Sequence, residues 1–502
     1  MHFGQSIIFN DEQYKKVYPT GSKPARIYGL PKMHKKFSGL PPFRPIVSSI
    51  GTFNYRLAGH LGKLLKDVIP CEYSCPDTFS FLEDLKKFDI NDKFTVSYDV
   101  CSLFTNLPLE ETLTLAVDII FENYPNLKIS KLELRELFNF CTSKTNFIFD
   151  GVIYDQIDGC AMGSPLAPIL ANLFLGYHEK LWLDEYSIGG NGPLFYRRYV
   201  DDIFAVFSNK NQATDFLQYL NGKHANIKFT MEENSNGILN FLDIKVNNVN
   251  GLTTSVYHKP TFTGLLTNFR SFIPFEFKTR LVYTLIDRIF KINNKKENFD
   301  NDVVKLCKYL SRNLFPKKFI ERHIKKYLDK KALGDKKEES TSEIHYFKLP
   351  YVGEFSGIAK NRIIKLYKRF CKPDKQIRLV FSISKIRDYF STKDPIPECF
   401  RSFVIYEFKC ANCGIRYVGR THKHFDTRIK EHFGSKSSSI FKHLNDSNNK
   451  MCKSKTTKEN SFKILDNAKT DYELALKEGL YINWLKPSLN IQKYHEVITL
   501  LL

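Results

Sequence analysis

Apolar and polar side chains alternate strictly along the segment KFTVSYDV, which begins at Lys93. Alternate residues of a β-strand point to opposite faces of the sheet. The apolar positions from Phe94 to Val100 therefore share one face, and Asp99 lies on the other. This pattern predicts a strand that buries one face and offers Asp99 on an open polar face.

A second segment, YRRYVDDIFAVF at residues 196–207, carries Asp201 and Asp202 between aromatic and β-branched residues. It predicts a hairpin with both carboxylates at a tight turn. The simpler interpretation is an exposed turn with no further role, because Asp is common in turns. If the hairpin neighbours the first strand, however, Asp99 and Asp201 meet on the open face. Carboxylate oxygens suit Mg²⁺, and two such ions can activate a hydroxyl and stabilise a leaving pyrophosphate.

Between these segments lies CAMGSPLAPILANLFLGYHEKLWL, whose apolar positions recur at helical spacing. Ser164 suits an N-cap and Pro165 a first helical residue, so a helix is predicted from this point. Gly163 just before it permits close approach of a ligand to the backbone. A plain buried helix is the alternative, but the order of strand, helix and hairpin favours a functional site. The predicted apolar face consists of Leu166, Ile169, Leu170, Leu173 and Tyr177.

The rest of the chain divides into regions of different pattern. Residues 94–260 alternate strand-like and helix-like segments, and residues 275–331 follow helical spacing. The polar residues 331–345 predict a linker, since few apolar contacts can form there. Residues 346–398 contain a basic amphipathic helix and connecting strands, and residues 400–494 predict a compact block with its own strands and helices.

Composition limits the class of protein. A chain of 502 residues is too long for one core, so two or three domains are expected. It has no apolar run near the ~20 residues of a membrane span and no leader after Met1, so neither a membrane segment nor secretion is expected. The eleven cysteines are scattered apart from Cys410 and Cys413, which predicts reduced thiols in the cytosol or nucleus.

The net charge of +21 predicts a polyanionic partner. A membrane surface would be the competing partner, but no basic amphipathic anchor stands out. Lys and Arg recur through the helical patterns between Lys278 and Lys337. Solvated helix faces would explain them, yet the total charge favours contacts with a nucleic-acid backbone.

The chain resembles the reverse transcriptases of Penelope-like retroelements. The resemblance rests on the phrases RIYGLPKMHK, FRPIVSSIGT, YDVCSLFTNLP, GCAMGSPLAPILANLF, YVDD, LNFLDIKV and VYHKPTFTG, and runs from about Arg26 to Thr263. It implies a right-hand polymerase fold with fingers, palm and thumb. The resemblance also implies that Asp99 and Asp201 of this chain bind the Mg²⁺ ions (or Mn²⁺) and that Asp202 supports them.

The same resemblance implies how the incoming nucleotide and the primer would be held. Phe104 would be the steric gate that excludes a 2′-hydroxyl, and Arg44 would contact the triphosphate. Gly163 and Ser164 would lie near the nascent base pair, with help from Gln156. Residues 239–246 would form the primer grip. A purely structural role is the alternative for both Phe104 and Arg44.

The C-terminal block resembles a GIY-YIG endonuclease, with its first signature tyrosine in VIY and its second in YVG. Cutting a phosphodiester needs a divalent metal, a base for water and a cation against the developing charge. The family implies Glu478 as the metal ligand and Arg428 as the phosphate clamp. The candidates for activating water, among which the sequence does not choose, are Tyr406, Tyr417 and His432.

Cys410 and Cys413 form a C-x-x-C, which alone is a weak zinc signal. His443 is a suitable third ligand, since elements of this type often carry a Cys-Cys-His-His set. Asn449 stands where the second His is expected, so Cys452 or His432 would complete a structural Zn²⁺ site. Two free thiols are the alternative.

The sequence therefore predicts an α+β multidomain chain: a right-hand polymerase followed by a small α/β GIY-YIG nuclease domain. The expected parts are fingers and palm (1–270), a thumb-like helical region (271–331), a linker region (332–398) and the nuclease domain (399–494). Only about 25 residues precede YGLPK, where the family usually has a long N-terminal region, so the resemblance leads us to expect a polymerase that is N-terminally short for its family.

The predicted function is that of a nuclear retrotransposon enzyme that copies RNA into DNA and nicks its target for insertion. Its partners would be an RNA template, a DNA primer, target DNA and deoxynucleoside triphosphates. Two alternatives are a domesticated, telomerase-like polymerase whose nuclease only binds DNA, and an inactive nucleic-acid-binding copy. The presence of Arg428 and Glu478 argues against the first, and the presence of Asp99, Asp201 and Asp202 in addition argues against the second.

Overall fold

The order of helices and strands follows from a computed structural model of the chain. It describes residues 11–19, 21–33, 38–143, 145–334, 343–370, 375–383, 385, 390, 395–446 and 450–490. The helices are α1 (Asp11–Val17), α2 (Tyr55–Lys66), α3 (Thr78–Lys86), α4 (Leu103–Asn106), α5 (Leu109–Asn123), α6 (Lys131–Thr142), α7 (Ala167–Ser187), α8 (Lys210–Lys223), α9 (Phe275–Ile292), α10 (Lys296–Arg312), α11 (Lys317–Ala332), α12 (Glu354–Phe370), α13 (Phe425–Gly434), α14 (Ser439–Asn445), α15 (Lys450–Lys455), α16 (Lys458–Ser461) and α17 (Asp471–Leu485). The strands are β1 (Ala25–Pro31), β2 (Phe43–Ser48), β3 (Phe94–Val100), β4 (Asn146–Phe149), β5 (Val152–Asp155), β6 (Phe195–Tyr199), β7 (Asp202–Phe207), β8 (Phe229–Glu233), β9 (Ile238–Phe241), β10 (Ile244–Asn247), β11 (Thr253–Val256), β12 (Glu343–Pro350), β13 (Lys375–Ser382), β14 (Val404–Lys409), β15 (Arg416–Thr421) and β16 (Phe462–Asn467).

Four antiparallel strands in the order β6-β7-β3-β8 form the central sheet. Its strands β3 and β7 are neighbours, and their register places Asp99 opposite Asp202. The backbone N–H of Val100 donates to the carbonyl of Asp201 at 3.0 Å. The strand and the hairpin expected to be neighbours therefore do pair, and their carboxylates meet at one end of the sheet.

Both faces of the central sheet are covered, which corrects the prediction of one open polar face. One face packs Tyr98 and Ile203 into a core shared with α5, α6, α7 and α8. The other packs Phe204 against Phe81 of α3 and Leu239 of β9. Alternation did not predict the burial of the second face, because a short polar side chain can be buried there without changing the pattern. Thr95, for example, is 1% exposed. Asp99 itself remains exposed because it lies at the uncovered end of β3.

A second sheet, which begins near the N-terminus and is called the N-terminal sheet, has the strand order β2-β1-β4-β5. Strands β1 and β2 are antiparallel, and Leu30 pairs with Arg44. At the far end of β2, the N–H of Val47 donates to the carbonyl of Met162 at 2.9 Å. This bond ties the N-terminal sheet to the loop that precedes α7.

Helices α9, α10 and α11 pack on one another around a core that includes Val282, Ile286, Leu306 and Leu310. The buried Asp302 of α10 accepts a hydrogen bond from the N–H of Val256 in β11 at 3.0 Å, which joins these helices to the β9–β11 sheet. The region expected to be a linker contains β12, α12 and β13 in chain order, and its two strands pair with each other in parallel. This βαβ unit is a folded element, whereas residues 335–342 of the predicted linker lie outside the described residues.

The C-terminal part contains a three-stranded antiparallel sheet in the order β15-β14-β16. One face of β14 packs Tyr406 and Phe408 against α13, and the other packs Ile405 against Leu474 of α17. The sheet thus lies between helices on both faces, of which α13 carries Arg428 and His432 and α17 carries Glu478. Among the described residues, no helix combines the length and the apolar character that crossing a membrane requires.

Candidate active sites

The hairpin of β6 and β7 presents the acidic residues through a two-residue turn. Tyr199 pairs with Asp202, so Val200 and Asp201 form the turn itself. Val200 has a φ of +57°, a region that a β-branched residue rarely adopts. Strain of this kind persists only where the surroundings enforce the conformation. The turn is therefore held in place by contacts beyond its own sequence.

Those contacts come from Arg198, which is fully buried beneath the turn. Its guanidinium donates to the carbonyl of Val200 at 3.0 Å and to Asn172 of α7 at 2.9 Å. It also pairs with the buried Glu179 of α7 at 2.7 Å, and the Tyr196 hydroxyl donates to the same carboxylate at 2.7 Å. Arg198 is thus a positioning residue that the motif analysis missed. The only sequence signal was a charged residue at an inward position of β6.

The three carboxylates affect one another electrostatically. Burial and the charges of Asp201 and Asp99 raise the pKa of Asp202 to about 6, and Lys259 partly offsets this effect. Carboxylate oxygens such as these are hard donors, the type of ligand that Mg²⁺ or Mn²⁺ prefers. Lys259 also lies near the site and had no predicted role, although it is part of the VYHKPTFTG phrase.

The loop before α7 packs tightly between two other elements. A side chain at Gly159, which has a φ of +68°, would approach the carbonyl oxygens of Thr105 and Phe104 to within 2.6 Å. At Gly163, with a φ of +132°, a Cβ would lie 2.3 Å from the carbonyl oxygen of Val47. The close approach that the structure shows at Gly163 is that of the protein's own strand β2, and the approach of a ligand stays a prediction. As a result, the loop connects β2, which carries Arg44, to α4, which carries Phe104.

The start of α7 differs from the prediction. The helix begins at Ala167, three residues after the expected N-cap, and Pro168 rather than Pro165 lies in its first turn. Ser164 accepts a hydrogen bond from the N–H of Leu166 at 3.3 Å, and so stabilises the preceding turn. Tyr177, predicted for the apolar face, is 40% exposed. The first half of α7 is buried on most sides, whereas exposed residues recur in its second half, so helical spacing alone did not identify a single apolar face.

The remaining polymerase candidates lie around this loop. Arg44 is exposed on β2. Phe104 is half-buried on α4, where its ring packs against the main core. Gln156 follows β5 and donates to the carbonyl of Asp158 at 2.9 Å. Residues 239–246 form most of the β9–β10 hairpin, with Leu242 at a φ of +54° in its turn.

A second cluster of candidate residues lies in the C-terminal sheet. The Tyr406 hydroxyl contacts His432 Nε2 at 2.6 Å and accepts from Arg428 Nε at 3.1 Å. His432 Nδ1 contacts the Ser438 hydroxyl at 2.7 Å, so both of its ring nitrogens are used. Burial and the charge of Arg428 lower the pKa of His432 to about 4, which keeps the ring neutral near pH 7. Helix α13 thus places Arg428 and His432 on one face, as their spacing predicted.

The glycine of the YVG phrase provides the space for this arrangement. Gly419 of β15 lies opposite Tyr406 of β14, and a Cβ there would meet the Tyr406 hydroxyl at 2.7 Å and the Tyr417 ring at 2.6 Å. Asn490 also holds β15 in place next to this glycine, since its amide side chain bonds both the N–H and the carbonyl of Val418, at 2.9 and 2.7 Å. The two signature tyrosines consequently lie side by side, with ring centroids 6.4 Å apart.

Glu478 extends from α17 towards the same cluster. Its carboxylate pairs with Arg420 at 3.2 Å, and burial raises its pKa. Arg428 also pairs with Glu431, at 3.0 Å. Arg420 and Glu431 are therefore charged members of the site that the sequence analysis did not select. Of the three residues considered for activating water, Tyr417 is half-buried, whereas Tyr406 and His432 are 0% and 3% exposed.

The cysteine cluster lies at one end of this sheet. The ligand atoms of Cys410, Cys413, His443 and Cys452 all lie within 4.8 Å of one another, a set that could hold a metal ion. Burial raises the pKa of Cys410, but backbone N–H groups and His443 outweigh it and lower the value to about 6. Thiolates are the form in which cysteine binds metals. His432, the alternative fourth ligand, is engaged with Tyr406 and Ser438 instead, and Asn449 lies outside the described residues.

Comparison with known proteins assigns the C-terminal part to a family. Residues 402–494 match the model of the GIY-YIG catalytic domain, and residues 265–325 match that of the animal helix-turn-helix domain. A search of curated proteins found no match for the chain. Residues 402–494 therefore form a GIY-YIG domain. The predicted fold class, an α+β multidomain chain that ends in such a domain, is confirmed.

Solved structures similar to this chain include polymerases. A telomerase from Candida albicans, solved with a fragment of telomeric RNA, is 14% identical with a TM-score of 0.44, over 70% of this chain and 64% of that one. The apo telomerase from Candida tropicalis is 13% identical with a TM-score of 0.39, over 63% and 60%. The Sicinivirus 3Dpol RNA-dependent RNA polymerase is 12% identical with a TM-score of 0.37, over 64% and 71%. This chain thus spans less than two thirds of either telomerase chain.

Proposed function

We propose that the chain is a retroelement enzyme of the Penelope-like type, which extends a DNA primer on an RNA template and nicks DNA with its GIY-YIG domain. The observation that carries the polymerase part is the register of β3 and β7, which brings Asp99, Asp201 and Asp202 together at one open sheet end. The domain at residues 402–494 supports the second activity. A primer-extension assay on an RNA template, run beside a DNA-nicking assay, tests both parts.

At the polymerase site, Asp99 and Asp201 would hold Mg²⁺ or Mn²⁺, with Asp202 in support. The raised pKa of Asp202 supports this assignment, because burial and the charges of Asp201 and Asp99 both disfavour its ionised form, and a divalent cation would stabilise that form. Bound there, the ions would supply activation of the primer hydroxyl and stabilisation of the leaving pyrophosphate. The role of Arg198 is to hold the turn that carries Asp201.

Around that site, Arg44 would bind the triphosphate of the incoming deoxynucleotide, and Gly163, Ser164 and Gln156 would line the nascent base pair. Support comes from the loop of residues 159–164, which packs against both β2 and α4. The β9–β10 hairpin would grip the primer. The basic helices α9–α11 would contact the nucleic-acid backbone, in keeping with the net charge of +21.

At the nuclease site, Glu478 would hold a divalent metal and Arg428 would bind the scissile phosphate. Tyr417 is the best candidate for contact with the attacking water, because Tyr406 and His432 are buried and bonded to each other. That pair would instead position Arg428, to which Tyr406 is hydrogen-bonded. We further propose that Cys410, Cys413, His443 and Cys452 bind a structural Zn²⁺, which the zinc content of the purified chain tests.

The partners under this proposal are an RNA template, a DNA primer, target DNA and deoxynucleoside triphosphates. Insertion into chromosomal DNA would place the activity in the nucleus, after synthesis in the cytoplasm. A telomerase-like enzyme that binds but does not cut DNA remains the second candidate. Nicking by the full chain separates the two, since only the first requires it.

Phe104 is expected to select against ribonucleotides. It lies five residues after Asp99, on a helix that packs against the loop of residues 159–164. Phe104→Val should raise the ratio of ribonucleotide to deoxyribonucleotide incorporation by about tenfold or more, because a smaller side chain leaves room for a 2′-hydroxyl. Primer extension with each nucleotide type gives this ratio. An active variant with unchanged selectivity would assign the gate to another residue.

The affinity of the polymerase site for Mg²⁺ is expected to fall below pH 6. The pKa of Asp202 is raised to about 6, so the metal-free protein holds a proton on this carboxyl below pH 6. The bound proton contributes to the stability of the metal-free fold at low pH, and this contribution is lost as the pH rises through 6. A metal ion must displace this proton, so affinity should weaken by up to about tenfold per pH unit below 6 and level off above it. Calorimetric titration with Mg²⁺ in buffers of different ionisation heat measures both the affinity and the proton release. Asp202→Asn should remove the release, and release unchanged in that variant would assign the proton to another group.

A further inference from the structure

A cavity of about 870 Å³ lies between the segment that precedes and includes β1, the start of α2, and the GIY-YIG domain. Its two walls are in direct contact. Ser22 Oγ lies 2.7 Å from His424 Nε2, and the Ser402 hydroxyl donates to the carbonyl of Ser22 at 3.2 Å. A Cβ at Gly21 would lie 2.5 Å from the carbonyl oxygen of His422, which shows how closely the backbones approach. We call this cavity the interdomain cleft.

The interdomain cleft is lined by cations from both walls and by no carboxylate among the described residues. The five cationic side chains are Lys23, Arg26, Arg56, Arg401 and Lys469. Burial, together with the charge of Arg26, lowers the pKa of Lys23. Within the part of the chain that the structure describes, Arg26 Nε is buried without a hydrogen-bond partner. Crowded like charges and an unused buried donor both favour an anionic ligand.

Aromatic rings line the same cleft as these cations. Phe53 and Tyr55 come from the N-terminal wall, Phe403 from the GIY-YIG domain, and Phe400 from the segment just before that domain. Cations that follow a phosphate backbone, interleaved with rings on which bases stack, are the features that bind single strands without sequence preference. The volume falls within the range of about 300–1,000 Å³ that holds ligands of drug size. It therefore suits a few nucleotides of single strand rather than a duplex.

We infer that the interdomain cleft binds a short single-stranded segment of nucleic acid, with its phosphates on the cations and its bases on the aromatic rings. The choice of ligand rests on the proposed function, since a copying and nicking enzyme handles unpaired strands. None of the lining residues belongs to either catalytic cluster. The cleft would guide a strand along the contact between the polymerase region and the nuclease domain.

The test uses the full chain with Asp201→Asn and Glu478→Ala, so that no substrate is consumed. A 12-residue oligodeoxythymidylate containing 4-thiothymidine is photocrosslinked to it, and the crosslinked peptides are identified by mass spectrometry. We expect crosslinks in peptides that contain Tyr55 or Phe400. Arg56→Gln with Lys469→Gln, which removes one exposed cation from each wall, should weaken this crosslinking by about tenfold. Arg26→Gln should weaken it independently.

The matched control removes two positive charges elsewhere, through Lys131→Gln and Arg135→Gln on α6, and should leave the crosslinks in place. Crosslinks confined to other peptides, or unaffected by the cleft variants, would overturn the inference. If dTTP reduced the crosslinking as effectively as unlabelled oligonucleotide does, the inference would also be overturned, because that result would indicate a site for a mononucleotide. Extension and nicking by the unmodified chain are measured separately. Their absence with cleft crosslinks intact would refute the proposed function alone.

Discussion

Asp201→Asn is expected to reduce primer extension on an RNA template by about a thousandfold or more. The substitution keeps the size of the side chain but removes the charge that would hold a metal ion, and charge stabilisation by such ions contributes several kcal/mol to the rate. Asp201 lies at the turn beside Asp99 and Asp202, and its carbonyl remains bonded to Val100 whatever the side chain. The fold and the binding of template should therefore be retained. Single-turnover extension with an annealed primer gives the rate, and gel-shift titration gives the affinity.

The matched control is Asp215→Asn on α8, which removes the same charge from an exposed surface position and should leave extension unchanged. Asp99→Asn should behave like Asp201→Asn. Near-normal extension by either active-site variant would refute the two-metal assignment at this hairpin. Loss of template binding along with activity would instead show that the turn serves the fold.

Glu478→Ala is expected to abolish DNA nicking, by about a thousandfold or more, while primer extension by the same chain is unchanged. Glu478 is the carboxylate that α17 brings to the Tyr406 and Arg428 cluster, so its loss removes the proposed metal ligand. Primer extension should persist because the carboxylates at the end of β3 belong to a separate sheet with its own core. Conversion of supercoiled plasmid to the nicked form measures the loss.

Two comparisons make this result specific. Asp471→Ala removes an exposed acid from the first turn of the same helix and should leave nicking intact. Asp201→Asn should spare nicking in the full chain. If Glu478→Ala also stopped primer extension on a preannealed template, the two sites would form one integrated machine, and the reading of two independent catalytic modules would be wrong.

Local patterns in the sequence were sufficient for several features of the fold. The hairpin of β6 and β7 was predictable because alternation and turn residues act over a few positions, although its turn consists of Val200 and Asp201 and leaves Asp202 in β7. The pairing of Arg428 and His432 on one helix face followed from the four-residue spacing. The C-x-x-C turn and His443 were recognisable as metal-binding chemistry. In each case the relevant contacts connect residues close in the chain, or side chains whose chemistry is distinctive by itself.

Features that depend on residues far apart in the chain were mispredicted or missed. The second face of the central sheet is buried because α3 and β9 fold over it, and the alternation within β3 contains no information about them. Helix α7 begins late because the loop before it is held by β2 and α4. Gly163 contacts β2, which the sequence did not indicate. A glycine in a sequence suggests that another group approaches the backbone closely, but it does not identify that group.

The sequence by itself determined the chemistry of this protein: which carboxylates, guanidinium groups and thiols are present, and on which local elements they lie. Only the tertiary structure decided how they are supported and combined. It brought Glu179 of α7 beneath Arg198, joined His432 to Tyr406 rather than to the cysteines, and closed the interdomain cleft between distant segments. The physical reason is that side-chain type and short-range spacing are encoded locally. Burial, register and charge pairing across hundreds of residues arise only when the whole chain packs.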